Sequence, residues 1–360
     1  MRIALLGPSR HPISEPFAGG QESHVATLAC ALRARGHHVL LYAAPGSDPR
    51  YADELVLHPA VPELSCVAAS DLNLPEPSFL CDQHAFLFVV ADLMRRAGAV
   101  DVVHNSSLHH LPLVAGSAVD RPLVVTLHTP PFPWMEIGVS LADPRTTFVA
   151  VSDALAASWT SVPQHRMRVI ANGVDVRAFE EGGGGEGLVW VGRMVPEKGA
   201  DVAILAARAS GRALTLVGPL SDREWFDALI APELGPGVAY AGHLNHGETG
   251  LELGRAGVSL VTPRWEEPFG LVAVESALTG TPVVAIGRGG LPDVINEEMG
   301  VLVAPTSDGD STLGADLARG IERARALPRG RVREVASRRF SAETMATAYE
   351  DLYREAVATW

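Results

Sequence analysis

Short apolar runs alternate with amphipathic stretches along nearly the whole chain. Arg2 to Gly7, His38 to Ala43, Val100 to His104, Leu123 to Leu127, Phe148 to Val151 and Arg168 to Ala171 read as strands. Gln21 to Arg35 reads as a helix, because Val25, Leu28, Ala29 and Leu32 recur on one face. Cys30 lies within that apolar pattern and is expected in the core. The strand runs are apolar without strict alternation, as in parallel sheets buried on both faces. Glu180 to Gly187 (EEGGGGEG) breaks the pattern and reads as a flexible connector. The alternation then restarts, with strands at Leu188 to Val191, Ala213 to Val217, Gly237 to Ala241, Val258 to Val261, Val283 to Ile286 and Val301 to Val303. Helices are expected from about Lys198 to Ser210 and from Ala342 to Ala358. A βαβα order of this kind predicts an α/β chain of two Rossmann-like, doubly wound parallel-sheet domains. The expected domains are residues 1–176 and 177–342, with a last helix at 343–360 available to pack back on the first. No short-period repeat is present, which excludes a solenoid.

A length of 360 residues suits two domains, and 47% apolar content supplies two cores. The net charge of −13, from 42 acidic and 29 basic residues, disfavours nucleic acid or an anionic membrane as a general partner. Cys30, Cys66 and Cys81 are odd in number and widely spaced, so neither a disulfide framework nor a zinc site is indicated. The first apolar run, Ile3 to Leu6, is short and ends at Gly7-Pro8, so no signal peptide is expected. Ala85 to Met94, interrupted by Asp92, falls short of a membrane span. The expected location is the cytoplasm.

Ligands of open α/β sheets collect at the carboxyl ends of strands, so motifs there carry the chemistry. After the strand at Val258 to Val261 comes Glu266-Glu267-Pro268-Phe269-Gly270-Leu271-Val272-Ala273-Val274-Glu275. A helix is expected to begin near Pro268 to Gly270, and its unpaired N–H groups suit a phosphate. Glu275 falls one to two turns inside, amid apolar neighbours, where a carboxylate needs partners such as vicinal sugar hydroxyls. Arg193 and Lys198 follow another strand end, in Val191-Gly192-Arg193-Met194-Val195-Pro196-Glu197-Lys198-Gly199. A guanidinium fork and a mobile ammonium together suit a diphosphate. Gly19 and Gly20 close the loop after the first strand, and His128 follows the strand at Leu123 to Leu127. Phe132 and Trp134, in the stretch from Pro130 to Gly138, form a candidate acceptor wall. Asp308-Gly309-Asp310 matches a metal-binding D-x-D pattern, but its polar turn before a helix reads as capping.

The Glu267-Pro268-Phe269-Gly270 segment through Glu275 resembles the E-x-F-G-x-x-x-x-E signature of the retaining glycosyltransferases of family 4, which have the GT-B fold. The continuation Ala277-Leu278-Thr279-Gly280-Thr281-Pro282-Val283 and Asn172-Gly173-Val174-Asp175 resemble the same family. The resemblance implies two domains facing a cleft, and a hexosyl transfer from a nucleoside-diphosphate sugar with no essential metal or other cofactor. It implies that Glu267 contacts donor sugar hydroxyls, that Glu275 contacts the ribose, and that backbone at Phe269, Gly270, Leu271 and Val272 meets the diphosphate. Arg193 and Lys198 then neutralise the leaving group, His128 contacts the transferred sugar, and Gly19 and Gly20 face the diphosphate and acceptor. Backbone near His243 and Leu244 reads the base. The chain is similar to compact bacterial members acting on small acceptors or natural products, with glycan and lipid acceptors also open. A UDP-sugar is favoured over GDP-mannose. The alternatives are a nucleotide-sugar-binding protein without transfer, and an NAD-dependent dehydrogenase. The dehydrogenase lacks a tight G-x-G-x-x-G after the first strand.

Overall fold

The apolar runs form two sheets, and every strand pairing in them is parallel. The structure is a computed structural model that describes residues 1–306 and 309–360, without the side chain of Ser311. The first sheet contains β1 (Arg2–Leu6), β2 (His38–Ala43), β3 (Glu54–Leu57), β4 (Val102–Asn105), β5 (Leu123–Leu127), β6 (Thr147–Ala150) and β7 (Met167–Val169), in the order β3-β2-β1-β4-β5-β6-β7. The second contains β8 (Leu188–Val191), β9 (Leu214–Val217), β10 (Val238–Tyr240), β11 (Val258–Val261), β12 (Val283–Ile286) and β13 (Gly300–Val303), in the order β10-β9-β8-β11-β12-β13. In each sheet the chain order reverses direction once, between β1 and β4 and between β8 and β11. The loops after those strands diverge there and leave a crevice, the usual ligand position of such sheets.

One compact unit comprises Met1–Ala150, Ala156–Ile170 and Ala346–Trp360, and the other Val151–Leu155 and Ala171–Met345. The chain therefore passes between them at several places, and none is the glycine run. Gly182 donates its N–H to the Thr279 carbonyl at 3.0 Å, and Gly184 to the Gly254 carbonyl at 3.0 Å. A Cβ on Gly182 would lie 2.2 Å from the Gly254 carbonyl oxygen. The run is thus packed backbone-to-backbone inside the second unit, and its glycines serve close approach rather than flexibility.

Two further expectations are corrected. β3 was not expected: as an edge strand of four residues, partly exposed, it carries no continuous apolar signal. Cys30 is exposed, because at 100° per residue it points away from the face carrying Val25, Leu28 and Leu32. The helix expected from about Lys198 to Ser210 is present as Ala200–Ser210, after a left-handed Gly199.

In the second unit, residues of all six strands, among them Trp190, Leu216, Val238, Leu260, Val284 and Val303, face one core. Helices Ala200–Ser210 and Asp310–Ala324 cover that face. The first unit buries a polar network beside β4 and β5. The His104 ring lies 2.7 Å from the Tyr353 hydroxyl and 2.7 Å from Thr126 Oγ1, which meets the Tyr349 hydroxyl at 2.8 Å. Both tyrosines come from the last helix, Ala342–Thr359. Among the described residues, no helix is long and apolar enough to cross a membrane.

Burial holds the His104 imidazole down at about 3, and those of His58 and His109 at about 4. These rings stay neutral in the folded state while their unfolded counterparts take up protons near pH 6.5, so stability falls as the pH drops through that value. Melting temperature is expected to decline from about pH 6.5 downward, each ring costing on the order of 1 kcal/mol by about pH 5.5. Thermal melts across this range check it, and a flat profile between about pH 7 and 5 contradicts it.

Candidate active site

The crevice of the second unit is built where β8 and β11 end side by side. Thr262, one residue past β11, is buried, and its hydroxyl works in both directions. It accepts from Trp190 Nε1 at 3.1 Å and donates to the Gly199 carbonyl at 2.7 Å. Gly199 has φ +71°, and a Cβ there would lie 2.0 Å from the Thr262 carbonyl oxygen, so only glycine fits. The turn Pro196–Lys198 is thereby held against the loop that follows β11.

That placement brings Lys198 and Glu267 together. Lys198 Nζ donates to Glu267 Oε2 at 2.6 Å, and Trp265 Nε1 donates to the same oxygen at 3.0 Å. Lys198 Nζ also lies 4.9 Å from the Trp265 ring centroid, within cation–π reach. Arg193, on the same β8 loop, is half exposed and pairs with Glu197 at 3.5 Å. The Glu267 backbone is braced from two sides: Gly290 N–H donates to its carbonyl at 2.7 Å, and Ser152 Oγ donates to the next carbonyl, that of Pro268, at 2.6 Å. Trp265, Ser152 and Gly290 were not singled out from the sequence, since their roles arise from contacts distant along the chain.

The helix opens at Leu271 and runs to Leu278, with Gly270 as its cap at φ +93°. Ala273 N–H reaches back to the Gly270 carbonyl, whereas the N–H groups of Leu271 and Val272 have no carbonyl within the helix to bond. Both residues are partly exposed, so these donors present a positive helix end. Phe269 is buried against Phe340, with ring centroids 5.8 Å apart, and anchors the turn. Glu275 is buried, and no hydrogen bond reaches its carboxylate among the described residues. Burial raises its pKa above the ordinary carboxylate value, opposed by His246. His243 is exposed and Leu244 half-buried, in the loop between β10 and the helix His246–Arg255.

Asp308 lies outside the described residues. Asp310, in the first turn of its helix, pairs with Arg264, which also pairs with Asp201. Asp310 therefore joins a structural ion-pair cluster. Among the described residues, no group of three or more His, Cys, Asp or Glu side chains is arranged to hold a metal ion.

In the first unit, Gly19 is the extended cap of the helix Gly20–Ala34, and Gly20 is its first residue. His128 directly follows β5, with its Nε2 2.7 Å from Ser106 Oγ and its ring edge-on to His24 at 4.7 Å. Burial, reinforced by His24 and His104, holds the His128 imidazole well below its usual range, so it is a neutral hydrogen-bonding group. At the β1/β4 crevice of this unit lies a cleft of about 360 Å³. Residues 8–11 after β1, residues 107–110 after β4, the helix Pro77–Arg95, Phe132 and Trp134 line it.

Comparison with known proteins agrees with this architecture over the whole chain. The model of Glycosyltransferase Family 4 matches residues 18–178, and that of Glycosyl transferases group 1 matches residues 177–324. Glycogen synthase of Mycobacterium tuberculosis is 30% identical over 352 residues, covering 85% of this chain and 83% of its own. D-inositol 3-phosphate glycosyltransferase of Acidothermus cellulolyticus is 30% identical over 367 residues, covering 84% and 79%. Among solved structures, a glycosyltransferase involved in avilamycin A biosynthesis superposes with a TM-score of 0.67 at 25% identity, over 99% of this chain and 98% of its own. Sucrose-phosphate synthase from Thermosynechococcus elongatus superposes with a TM-score of 0.77 at 24% identity over 100% of both chains. Anabaena HepE, in complex with UDP and glucose, superposes with a TM-score of 0.73 at 19% identity, over 99% of this chain and 100% of its own. Two parallel Rossmann-like sheets, a Lys–Glu pair at a strand switch point and these matches identify the chain as a GT-B glycosyltransferase of family 4.

Proposed function

We propose that the enzyme moves a hexose from a nucleoside-diphosphate sugar to an acceptor hydroxyl with retention of anomeric configuration, using no essential metal or other cofactor. The carrying observation is the conjunction, around one crevice, of Lys198 bonded to Glu267, a helix start with free N–H groups, and a buried Glu275 that lacks a hydrogen bond. Each matches one part of the donor. The diphosphate takes the N–H groups of Leu271 and Val272 together with Arg193 and Lys198. Glu275 accepts from the ribose hydroxyls, and Glu267 from hydroxyls of the transferred sugar. Backbone near His243 and Leu244 borders the base. Gly19 and Gly20 face the diphosphate, and His128, neutral, hydrogen-bonds the sugar.

The bond from the anomeric carbon to the phosphate oxygen breaks with its electron pair moving to the diphosphate. Arg193, Lys198 and the helix start stabilise that charge as it develops. These fixed cations support the metal-independent reading. The acceptor oxygen bonds the same face of the anomeric carbon, and its proton passes to the departing phosphate oxygen. The preference for UDP over GDP leans on HepE, whose complex holds UDP and glucose. A cytoplasmic location belongs to the same proposal, as does an acceptor that is a small molecule, a glycan or a lipid.

The product is expected to keep the anomeric configuration of the donor; proton NMR of the glycosidic product decides this, and inversion refutes it. Lys198→Ala and Glu267→Ala are each expected to lower turnover by about 100-fold or more while the fold persists. Circular dichroism and initial rates check this, and near-normal rates in both variants remove the site. Glu275→Gln replaces a buried carboxylate that has no hydrogen bond with a neutral amide. The ligand-free variant is expected to be more stable by about 1 kcal/mol. It is also expected to show a smaller UDP-induced rise in melting temperature than the parent, in which UDP gives a larger rise than GDP. A variant less stable than the parent, with an unchanged UDP response, counts against the ribose role.

A further inference from the structure

We infer that the cleft of the first unit selects an uncharged acceptor presenting a ring face, either a pyranose or an aromatic alcohol, over a phosphorylated one. This rests on the transferase reading above and adds the class of the second substrate.

Charge is the first ground. Arg10 is the only Lys or Arg among the residues lining the cleft. Its Nε and Nη2 both donate to Asp82 Oδ2, at 2.9 and 2.7 Å, and Ser9 Oγ donates to Asp82 Oδ1 at 2.6 Å. The guanidinium fork is therefore already matched to a carboxylate. Buried Glu22 adds a further carboxylate to the wall. Burial also holds the imidazoles of His109 and His110 below their ordinary value, so both are neutral at pH 7. A phosphate entering here meets carboxylates and a cation already engaged, whereas phosphate sites supply unpaired Arg or Lys.

Shape is the second ground. Phe86, His109, His110 and Trp134 stack in series, with centroids 4.3, 4.6 and 5.4 Å apart and interplanar angles of 19°, 28° and 24°. Phe79 extends the series, 6.2 Å from Trp134. The terminal pair is open to solvent, Trp134 at 53% and Phe79 at 38%. Exposed rings in a cleft are surface for another flat or C–H-rich face. The loop supplying the histidines is held in shape at a cost. Leu108, which is not glycine, has φ +59°, and Asn105 ties the loop by accepting from Ser107 N–H and donating to the His109 carbonyl.

Binding to the full chain is read by calorimetry, so the outcome does not depend on turnover. The probes are maltose for pyranose faces, 2-naphthol for aromatic faces, D-inositol 3-phosphate and inorganic phosphate. Maltose or 2-naphthol is expected to bind, and which one does identifies the source of the ring; neither phosphate probe is expected to bind or compete. Trp134→Ala is expected to weaken the bound neutral probe by about tenfold, as is Phe79→Ala, with Trp134→Phe restoring most of it. The UDP-induced melting shift stays unchanged in these variants. Tighter binding of D-inositol 3-phosphate overturns the inference. So does failure of both neutral probes at about 5 mM, or unchanged affinity in both alanine variants. Loss of the transferase reading shows separately, as absence of any UDP effect on the parent protein.

Discussion

The hydroxyl of Thr262 ties together the two loops that carry Lys198 and Glu267. Two parallel strands at a switch point send their following loops apart, so nothing in the sheet itself holds the loops in register. Thr262 supplies that hold from a buried position, accepting from Trp190 and donating to Gly199. Both bonds form away from water, where leaving either partner unpaired is costly. The crosslink sets Lys198 2.6 Å from Glu267, although the two residues are 69 positions apart. Gly290 and Ser152 then brace the Glu267 backbone, so the carboxylate sits on a held loop rather than a mobile one.

The first unit solves the same problem with a different network. His104, Thr126, Tyr349 and Tyr353 are buried side by side at β4 and β5, and each polar side-chain atom finds a partner. The last helix contributes two of the four, so the end of the chain stabilises the strands that carry Ser106 and His128. The two units differ in electrostatic character accordingly. The crevice of the second unit sets an ammonium, a guanidinium and a helix start beside its glutamates. The cleft of the first unit is lined by aromatic rings and by the neutral imidazoles of His109 and His110, with its one arginine already paired.

Period and punctuation carried most of the fold. β2, β5, β8, β11 and β12 fall on the expected residues, because buried parallel strands are apolar runs bounded by Gly and Pro. β3 escaped, since a partly exposed edge strand has no such run. The glycines at 182–185 misled in a specific way. Glycine is required both where a chain must bend freely and where two backbones must touch, and composition does not separate the two. Cys30 was misplaced by neighbourhood when helical phase should have decided.

Residue types and spacing along the sequence were enough to class the chain among glycosyltransferases and to put forward Arg193, Lys198, Glu267 and Glu275 as candidates, because the signature is local to strand ends. What the sequence could not contain is which of these groups meet. The Lys198–Glu267 bond, the braces from Ser152 and Gly290, and the engagement of Arg10 by Asp82 all join residues far apart in the chain. The stacked rings of the first unit likewise draw on separate elements. A carboxylate or a guanidinium reads the same in sequence whether free or paired. Only the folded backbone decides which charges are already satisfied, and therefore which remain available to a ligand.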